Sequence, residues 1–401
     1  MPVRNNNHLF LPYTPPEFWT AYFESTGTPT DGLVIPKQRI NLVNAPTPIH
    51  PFALPELPED APPIFLKRED FIGALESGGN KSRKLEFLLA ECIEQHCGCV
   101  VSAGGIQSNH VRQTAAACAR LGIPFHAVLR RDSPGNNGNV FLDRMFGAQL
   151  RIIPKDVLLE YEYKGQKGRD AAVAKLVDDL ADQKPYLVPV GATTSLGIWG
   201  YIDTFDELVR QSPATFGGPL HTKIGAIVSA VGSTGTVSGL STAAHAYHHV
   251  NKLTVENERV NVFGYGTGDD VDEIYETIDE VVPAVMPGVK GRDLVNIKDK
   301  RGVGYAKSST EELQFLSRIA RETGIIFDRC YTGKALIGMW KDLKDPDPQP
   351  FEGKKRHLRF NDGRGIIFMQ TGGGASLFDV ADELEPVLAQ HSPLTLTLIE
   401  Q

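Results

Sequence analysis

Apolar and polar positions along this chain fall into blocks that repeat a strand-then-helix rhythm. The run Ile64-Phe-Leu-Lys-Arg-Glu-Asp opens apolar and ends charged, which predicts a short buried strand leaving the core. Leu85, Leu88 and Leu89 then keep helical spacing. The stretch between, Ser77 to Asn80, is therefore expected to be a turn whose backbone N–H groups are free to meet an anion. The rhythm continues through Gly98–Ser102 then 109–121, Pro124–Leu129 then 138–147, and Leu150–Pro154 then 168–183. A second set begins near Ile227 and takes in Val260–Tyr265 and Ile366–Gln370. Such alternation predicts an α/β fold of two domains with open, mostly parallel twisted sheets flanked by helices, and ligands at the strand C-terminal ends.

The start of the chain breaks the pattern. Thirteen prolines lie between Pro2 and Pro63, a density that favours an extended arm, residues 1–60, over packed helices. Near the other end, Lys344-Asp-Pro-Asp-Pro-Gln-Pro-Phe-Glu-Gly-Lys-Lys-Arg-His reads as a surface loop.

Lys81 stands just past a Gly-Gly turn at a helix start, in Gly78-Gly-Asn-Lys-Ser-Arg-Lys-Leu-Glu. A P-loop places its Lys directly after the second Gly, and here Asn80 intervenes, so a nucleotide-triphosphate site is not expected. Two further glycine-rich loops follow apolar runs. Ile227-Val-Ser-Ala-Val-Gly-Ser-Thr-Gly-Thr predicts a buried strand, a turn at Gly232, Ser233, Thr234, Gly235 and Thr236, and then a helix. Small side chains expose the N–H groups there, and a helix N-terminus adds about half a positive charge, which suits a phosphate. Ile366-Ile-Phe-Met-Gln-Thr-Gly-Gly-Gly repeats the pattern. An amine nucleophile together with a phosphate cup points to pyridoxal 5'-phosphate, held by a Schiff base and by its phosphate.

Three motifs, the Lys81 run, Gly104-Gly-Ile-Gln-Ser-Asn-His and Gln370-Thr-Gly-Gly-Gly, resemble the D-cysteine desulfhydrase and 1-aminocyclopropane-1-carboxylate deaminase family of pyridoxal-phosphate enzymes, which is tryptophan-synthase-β-like. The resemblance covers roughly residues 40 to 385. It implies the fold type II architecture, a homodimer, and a small domain at 85–190 inserted into a larger one made of 61–84 and 191–401. It also implies roles. Lys81 would carry the cofactor and then act as base on the substrate α-proton. Ser108 would lie by the substrate and Asn109 by the cofactor ring oxygen, with His110 beside them, and either Ser108 or Asn109 can equally serve as a helix N-cap. Tyr305 and Tyr331 match two active-site tyrosines, although a buried tyrosine is also ordinary core. Asn80, Thr332 and Thr371 complete the cofactor contacts.

Two of these positions separate the sub-families. Deaminases carry Glu directly after the matching tyrosine and Leu before the late Gly-Gly, where this chain has Thr332 and Thr371. A carboxylate facing the pyridine nitrogen deepens the electron sink that ring opening requires, whereas a hydroxyl suffices for β-elimination of a thiolate. The run Ser195-Leu-Gly-Ile-Trp-Gly-Tyr likewise resembles the desulfhydrase pattern. The expected activity is a pyridoxal-phosphate lyase that cleaves D-cysteine, or a close β-substituted amino acid, to pyruvate, ammonia and sulfide. The alternatives are a deaminase giving 2-ketobutyrate and a cofactor-binding protein without turnover.

Composition narrows the partners. With 401 residues, 41 % of them hydrophobic, the chain can bury a large core, and its net charge of −8 argues against a nucleic-acid surface. The five cysteines, an odd number and few for the length, fit a reducing compartment, and Cys97-Gly-Cys99 lacks the second ligand pair of a zinc site. No metal is expected from it, and the His245, His248 and His249 cluster reads as a solvated helix end. The opening Met-Pro-Val-Arg-Asn-Asn-Asn has no apolar core and no run of about 18 apolar residues occurs, so a cytoplasmic protein off the membrane is expected.

Overall fold

The computed structural model describes residues 9–73, 75, 78–131, 135–255, 258–353, 356–358 and 362–392. Six strands form the larger sheet, in the order Val295–Asp299, Asn261–Gly266, Ile224–Val231, Gly365–Gln370, Ile64–Arg68 and Ile49–Phe52. All neighbours are parallel except the last pair. The central strand Ile224–Val231 is apolar and buried along almost its whole length, as a parallel sheet covered on both faces requires. A second sheet, wholly parallel, has the order Pro185–Leu187, Cys99–Gly105, Phe125–Arg131, Gln149–Pro154.

Helices follow the strands where the apolar spacing placed them: Lys81–Glu94, Asn109–Leu121, Asn139–Met145, Gly168–Asp179 and Gly235–Val250. The stretch between Pro154 and Gly168 holds a short helix, Lys155–Glu160, and a two-residue strand pair that no periodicity had marked.

The proline-rich start differs from an extended arm. Glu17–Thr26 is a helix that buries Phe18, Trp19, Tyr22 and Phe23 in the main core. The Trp19 ring packs edge-on against Trp199 at 5.0 Å, and Phe18 meets Phe205 at 6.0 Å. The prolines bound this helix and do not interrupt it: Pro15 and Pro16 precede its first turn, where a missing N–H costs nothing, and Pro29 follows Gly27 at its end. Further on, Ile49–Phe52 joins the edge of the larger sheet. In the late proline-rich run, Glu352 bridges to Ile297, while residues 354 and 355 lie outside the described residues.

Four loops that leave strand C-terminal ends converge. They carry Lys81 after Ile64–Arg68, Ser108 after Cys99–Gly105, Gly232 after Ile224–Val231 and Thr371 after Gly365–Gln370.

Candidate active site

Lys81 opens its helix, and the first backbone N–H groups of that helix need acceptors. Asn80, the residue before it, supplies no side-chain cap. The acceptor comes from another helix: Gln113 Oε1 takes the N–H of Lys81 at 3.0 Å and of Ser82 at 3.1 Å. Gly79, with φ of 139°, makes the preceding bend, which only glycine enters freely. Ser77, the first residue of the expected turn, lies outside the described residues. The Lys81 ammonium ends 3.4 Å from Ser233 Oγ, and desolvation by the surrounding protein lowers its pKa to about 8. Lys81 thereby holds roughly a tenth of its amine unprotonated at pH 7, far more than an ordinary lysine, and nucleophilic attack on an aldehyde requires that free form.

The two other cations of this helix part company. Arg83 turns into the core and pairs with Glu69 and Glu207 at 2.6 and 3.0 Å. Lys84, fully buried, faces the Gly232–Thr236 loop; a Cβ at position 235 would lie 2.6 Å from its Nζ. Its hydrogen bond among the described residues is to the Gly191 carbonyl at 3.1 Å, and burial, then the Lys81 charge, pull its pKa well below the ordinary value.

The loop itself has features that suit an anion. Thr234 holds φ of 57°, unusual for a β-branched residue, and its buried Oγ1 has no hydrogen-bond partner among the described residues. Asn80 Nδ2 reaches Thr236 Oγ1 at 3.1 Å, tying the lysine turn to the loop. Thr193 Oγ1 donates to the Ser233 carbonyl from the other side. The Tyr331 ring rests on Gly232, where any Cβ would sit 2.7 Å from Cε1, so the ring can lie over the loop only because position 232 has no side chain.

Around this cup stand the remaining candidates. Ser108 Oγ accepts the N–H of Val111 at 3.2 Å, so it does cap its helix, and its hydroxyl proton is left to donate elsewhere. Asn109 is half-buried, with Nδ2 beside the Gly373 turn. Tyr305 and Tyr331 join hydroxyl to hydroxyl at 2.6 Å. Desolvation, then the neighbouring Tyr305, raises Tyr331 well above 10, so it stays protonated and able to donate. Thr371 presents its carbonyl, which takes the Asn80 N–H at 3.3 Å.

His110 departs from its expected place among the substrate contacts. It is 3 % exposed and its Nε2 lies 2.9 Å from Ser102 Oγ on strand Cys99–Gly105, so it offers no surface to a substrate. Ser102 Oγ donates to the Val188 carbonyl, which makes the histidine the donor of the pair. Desolvation, then the Lys81 and Lys84 charges, keep the ring neutral.

The model of pyridoxal-phosphate-dependent enzymes matches residues 40–355. The chain belongs to the pyridoxal-phosphate-dependent enzyme family. It is similar to a bifunctional D-cysteine desulfhydrase/1-aminocyclopropane-1-carboxylate deaminase, mitochondrial, of Arabidopsis thaliana, with 34 % identity over 96 % of this chain and 88 % of that protein. A D-cysteine desulfhydrase of Salmonella paratyphi A is 30 % identical over 85 % of this chain and 95 % of its own. Among solved structures, one titled as an ACC deaminase homologue has a TM-score of 0.69 at 26 % identity, covering 93 % of this chain and 99 % of that one. A cysteine synthase from Entamoeba histolytica, at 14 % identity with a TM-score of 0.55 over 87 % of this chain and 94 % of that one, shares the fold.

The residues of this enzyme fit the cofactor. The orphaned Thr234 hydroxyl, the N-terminus of helix Gly235–Val250 and the uncompensated Lys84 ammonium converge on one cup, which matches a dianionic phosphate. Thr332 adds a feature that its residue type did not announce. Its hydroxyl donates to Asp328 Oδ1 at 2.5 Å, and Asp328 also takes the N–H groups of Cys330, Tyr331 and Thr332. A carboxylate therefore stands one hydroxyl behind Thr332. Gln113, Lys84 and Asp328 are the site residues the motifs did not single out. For Lys84 the signal was there: positions three apart share a helix face with Lys81, whereas Arg83, two apart, points the other way.

Proposed function

We propose that this enzyme carries out β-elimination of D-cysteine, or a close β-substituted amino acid, D-cysteine being converted with water to pyruvate, ammonia and hydrogen sulfide. The observation that carries the choice is Thr332 at the position next to Tyr331, with its hydroxyl already donated to Asp328. When bound, pyridoxal phosphate supplies an aldehyde for the substrate amine and a ring that accepts the electron pair left at the α-carbon. Lys81 would be the amine that holds the cofactor and, as a free amine, the base positioned to take the substrate α-proton. Its pKa of about 8 supports both duties. Ser108 and Asn109 orient the substrate carboxylate and the ring. Tyr331, with Tyr305 behind its hydroxyl, is the proton donor placed to assist departure of the thiolate. The Gly232–Thr236 loop and Lys84 would hold the phosphate.

A second reading is ring opening of 1-aminocyclopropane-1-carboxylate to 2-ketobutyrate and ammonia, favoured by the bifunctional name of the Arabidopsis relative. The discriminating experiment is a panel of D- and L-cysteine and the cyclopropane amino acid, assayed for sulfide, pyruvate and 2-ketobutyrate. Sulfide from D-cysteine with little 2-ketobutyrate supports the first reading; a preference for the cyclopropane substrate replaces it with the second. Thr332→Glu is expected to lower turnover of both, because a second carboxylate would meet Asp328 at hydrogen-bonding distance.

The division into an inserted small domain, 85–190, and a larger remainder belongs to this proposal and rests on the two separate sheets. So do the homodimer and the cytoplasmic location. The five free thiols support a reducing compartment, and no helix among the described residues is long and apolar enough to cross a membrane.

A further inference from the structure

Amide side chains can be placed two ways round, and a hydrogen-bond network decides which. In this site the decision is forced from one end. Arg112 has donors only, and its Nε lies 2.9 Å from Asn139 Oδ1, so the Asn139 oxygen must be the acceptor. Asn139 Nδ2 then faces two acceptors, the Gln107 carbonyl at 2.8 Å and Asn109 Oδ1 at 2.8 Å. Gln107 is fixed independently: its Oε1 takes the Asn139 backbone N–H at 2.8 Å and its Nε2 gives to the Asn137 carbonyl at 2.9 Å.

With Asn109 Oδ1 engaged, its NH2 group has one direction left. Nδ2 would stand 2.8 Å from a Cβ at Gly373, on the glycine turn that follows Gln370, and no acceptor among the described residues takes it. The Asn109 main chain is held as well, its carbonyl accepting Gln113 Nε2 at 3.1 Å. Arg112 also donates through its NH2 nitrogen to the Gly78 carbonyl at 3.3 Å, so the same guanidinium steadies the turn before Lys81.

We propose that Asn139, oriented by Arg112, is a positioning residue that sets the polarity of Asn109, fixing its NH2 group toward the cofactor so that Asn109 is an obligate donor to the ring hydroxyl oxygen. The proposal rests on the reading that pyridoxal phosphate lies with its ring beside Asn109. A buried residue chosen only to fill space would not need an amide at 139. One with an oxygen for Arg112 and two hydrogens for Gln107 and Asn109 satisfies all three partners at once.

The test is Asn139→Asp. A carboxylate keeps the Arg112 contact and suits the start of helix Asn139–Met145, but it cannot donate. Asn109 then has to turn its own NH2 group to position 139 and present Oδ1 to the ring. A donor at that oxygen favours its deprotonated form, and an acceptor disfavours it. The pH midpoint of the visible absorption change of the cofactor-loaded protein should therefore rise by about one unit, the order of one charge-assisted hydrogen bond. Lys81, Lys84 and His110 are common to all variants, so their titration cancels in the comparison. Asn139→Ala, which frees Asn109 to adopt either orientation, should move the midpoint in the same direction by less, and it serves alone if Asn139→Asp does not fold. In an Asn109→Ala background both substitutions should lose their effect. Persistence of the full shift in that background, or no shift in either single variant while Asn109→Ala itself moves the midpoint, overturns the positioning role. If Asn109→Ala leaves the spectrum unchanged, Asn109 does not contact the ring, and the underlying reading falls together with this one.

Discussion

Two faces of helix Lys81–Glu94 treat buried positive charge in opposite ways. On one, Arg83 donates to both oxygens of Glu69 and both of Glu207, while Lys67 reaches Glu207 from the neighbouring strand and Thr47 and Tyr201 fill the remaining positions. Burial would push Glu207 upward, yet Arg83 and Lys67 hold its carboxyl down at about 2. On the other face, Lys81 and Lys84 have no carboxylate partner among the described residues, and desolvation lowers both. The first cluster is complete within the protein. The second is complete only with an anion, and it borders the loop whose Thr234 hydroxyl lacks a partner. Charge left uncompensated beside a helix N-terminus marks where the ligand goes; charge fully paired marks structure.

Breaking the paired cluster should give the largest effect. Glu207→Ala leaves Arg83 and Lys67 buried against a single carboxylate, and removing one partner of a buried pair costs roughly 3–5 kcal/mol. Urea unfolding of the cofactor-free protein should show that loss; a change under about 1 kcal/mol would mean the cluster is solvated and the contrast is false.

Lys84→Met should act in the reverse sense. It removes a charge with no carboxylate partner at nearly constant volume, so the cofactor-free protein should be as stable as the wild type or more so. Cofactor affinity should fall by about 10- to 100-fold, the order of one charge-assisted hydrogen bond to phosphate. Equilibrium dialysis with pyridoxal phosphate reads the second effect. Unchanged affinity would remove Lys84 from the phosphate cup.

The smallest effect is a pH dependence. Lys81 has a folded pKa of about 8 against an unfolded value near 10.4, so the folded state binds fewer protons between those values. Stability of the cofactor-free protein should rise with pH across that window and carry the full penalty below it. Comparing wild type with Lys81→Met at pH 7.5 and 10 isolates the contribution, expected on the order of 2 kcal/mol. The tyrosines and cysteines that titrate nearby are common to both proteins. Equal slopes would place the Lys81 amine in water.

Which parts were legible in the sequence follows from how local their causes are. The strand–helix rhythm, Lys81 at its helix start and the Gly232 loop rest on spacing within a dozen residues, and the structure has elements at those places. The helix Glu17–Thr26 was hidden because proline density was read without regard to position, although Phe18, Trp19, Tyr22 and Phe23 lie on one helical face. Arg83 and Lys84 are neighbouring cations in the sequence, yet helical geometry separates them by about 100°. The partners of Arg83, the Gln113 cap and the Asp328 contact behind Thr332 depend on tertiary packing that no local pattern encodes. His110 sits on the buried side of its helix, where Ser102 meets it, and only the packing of strand Cys99–Gly105 reveals that.

The unpaired face of helix Lys81–Glu94 is assigned the cofactor, and Lys81 is the residue assigned to bear it. Borohydride reduction of the cofactor-loaded enzyme followed by peptide mass mapping tests that assignment directly, because two lysines three residues apart on one helix compete for one label. The account predicts the pyridoxyl group on Lys81 and none on Lys84; a label on Lys84, on Lys67, or on a lysine outside this helix would contradict it.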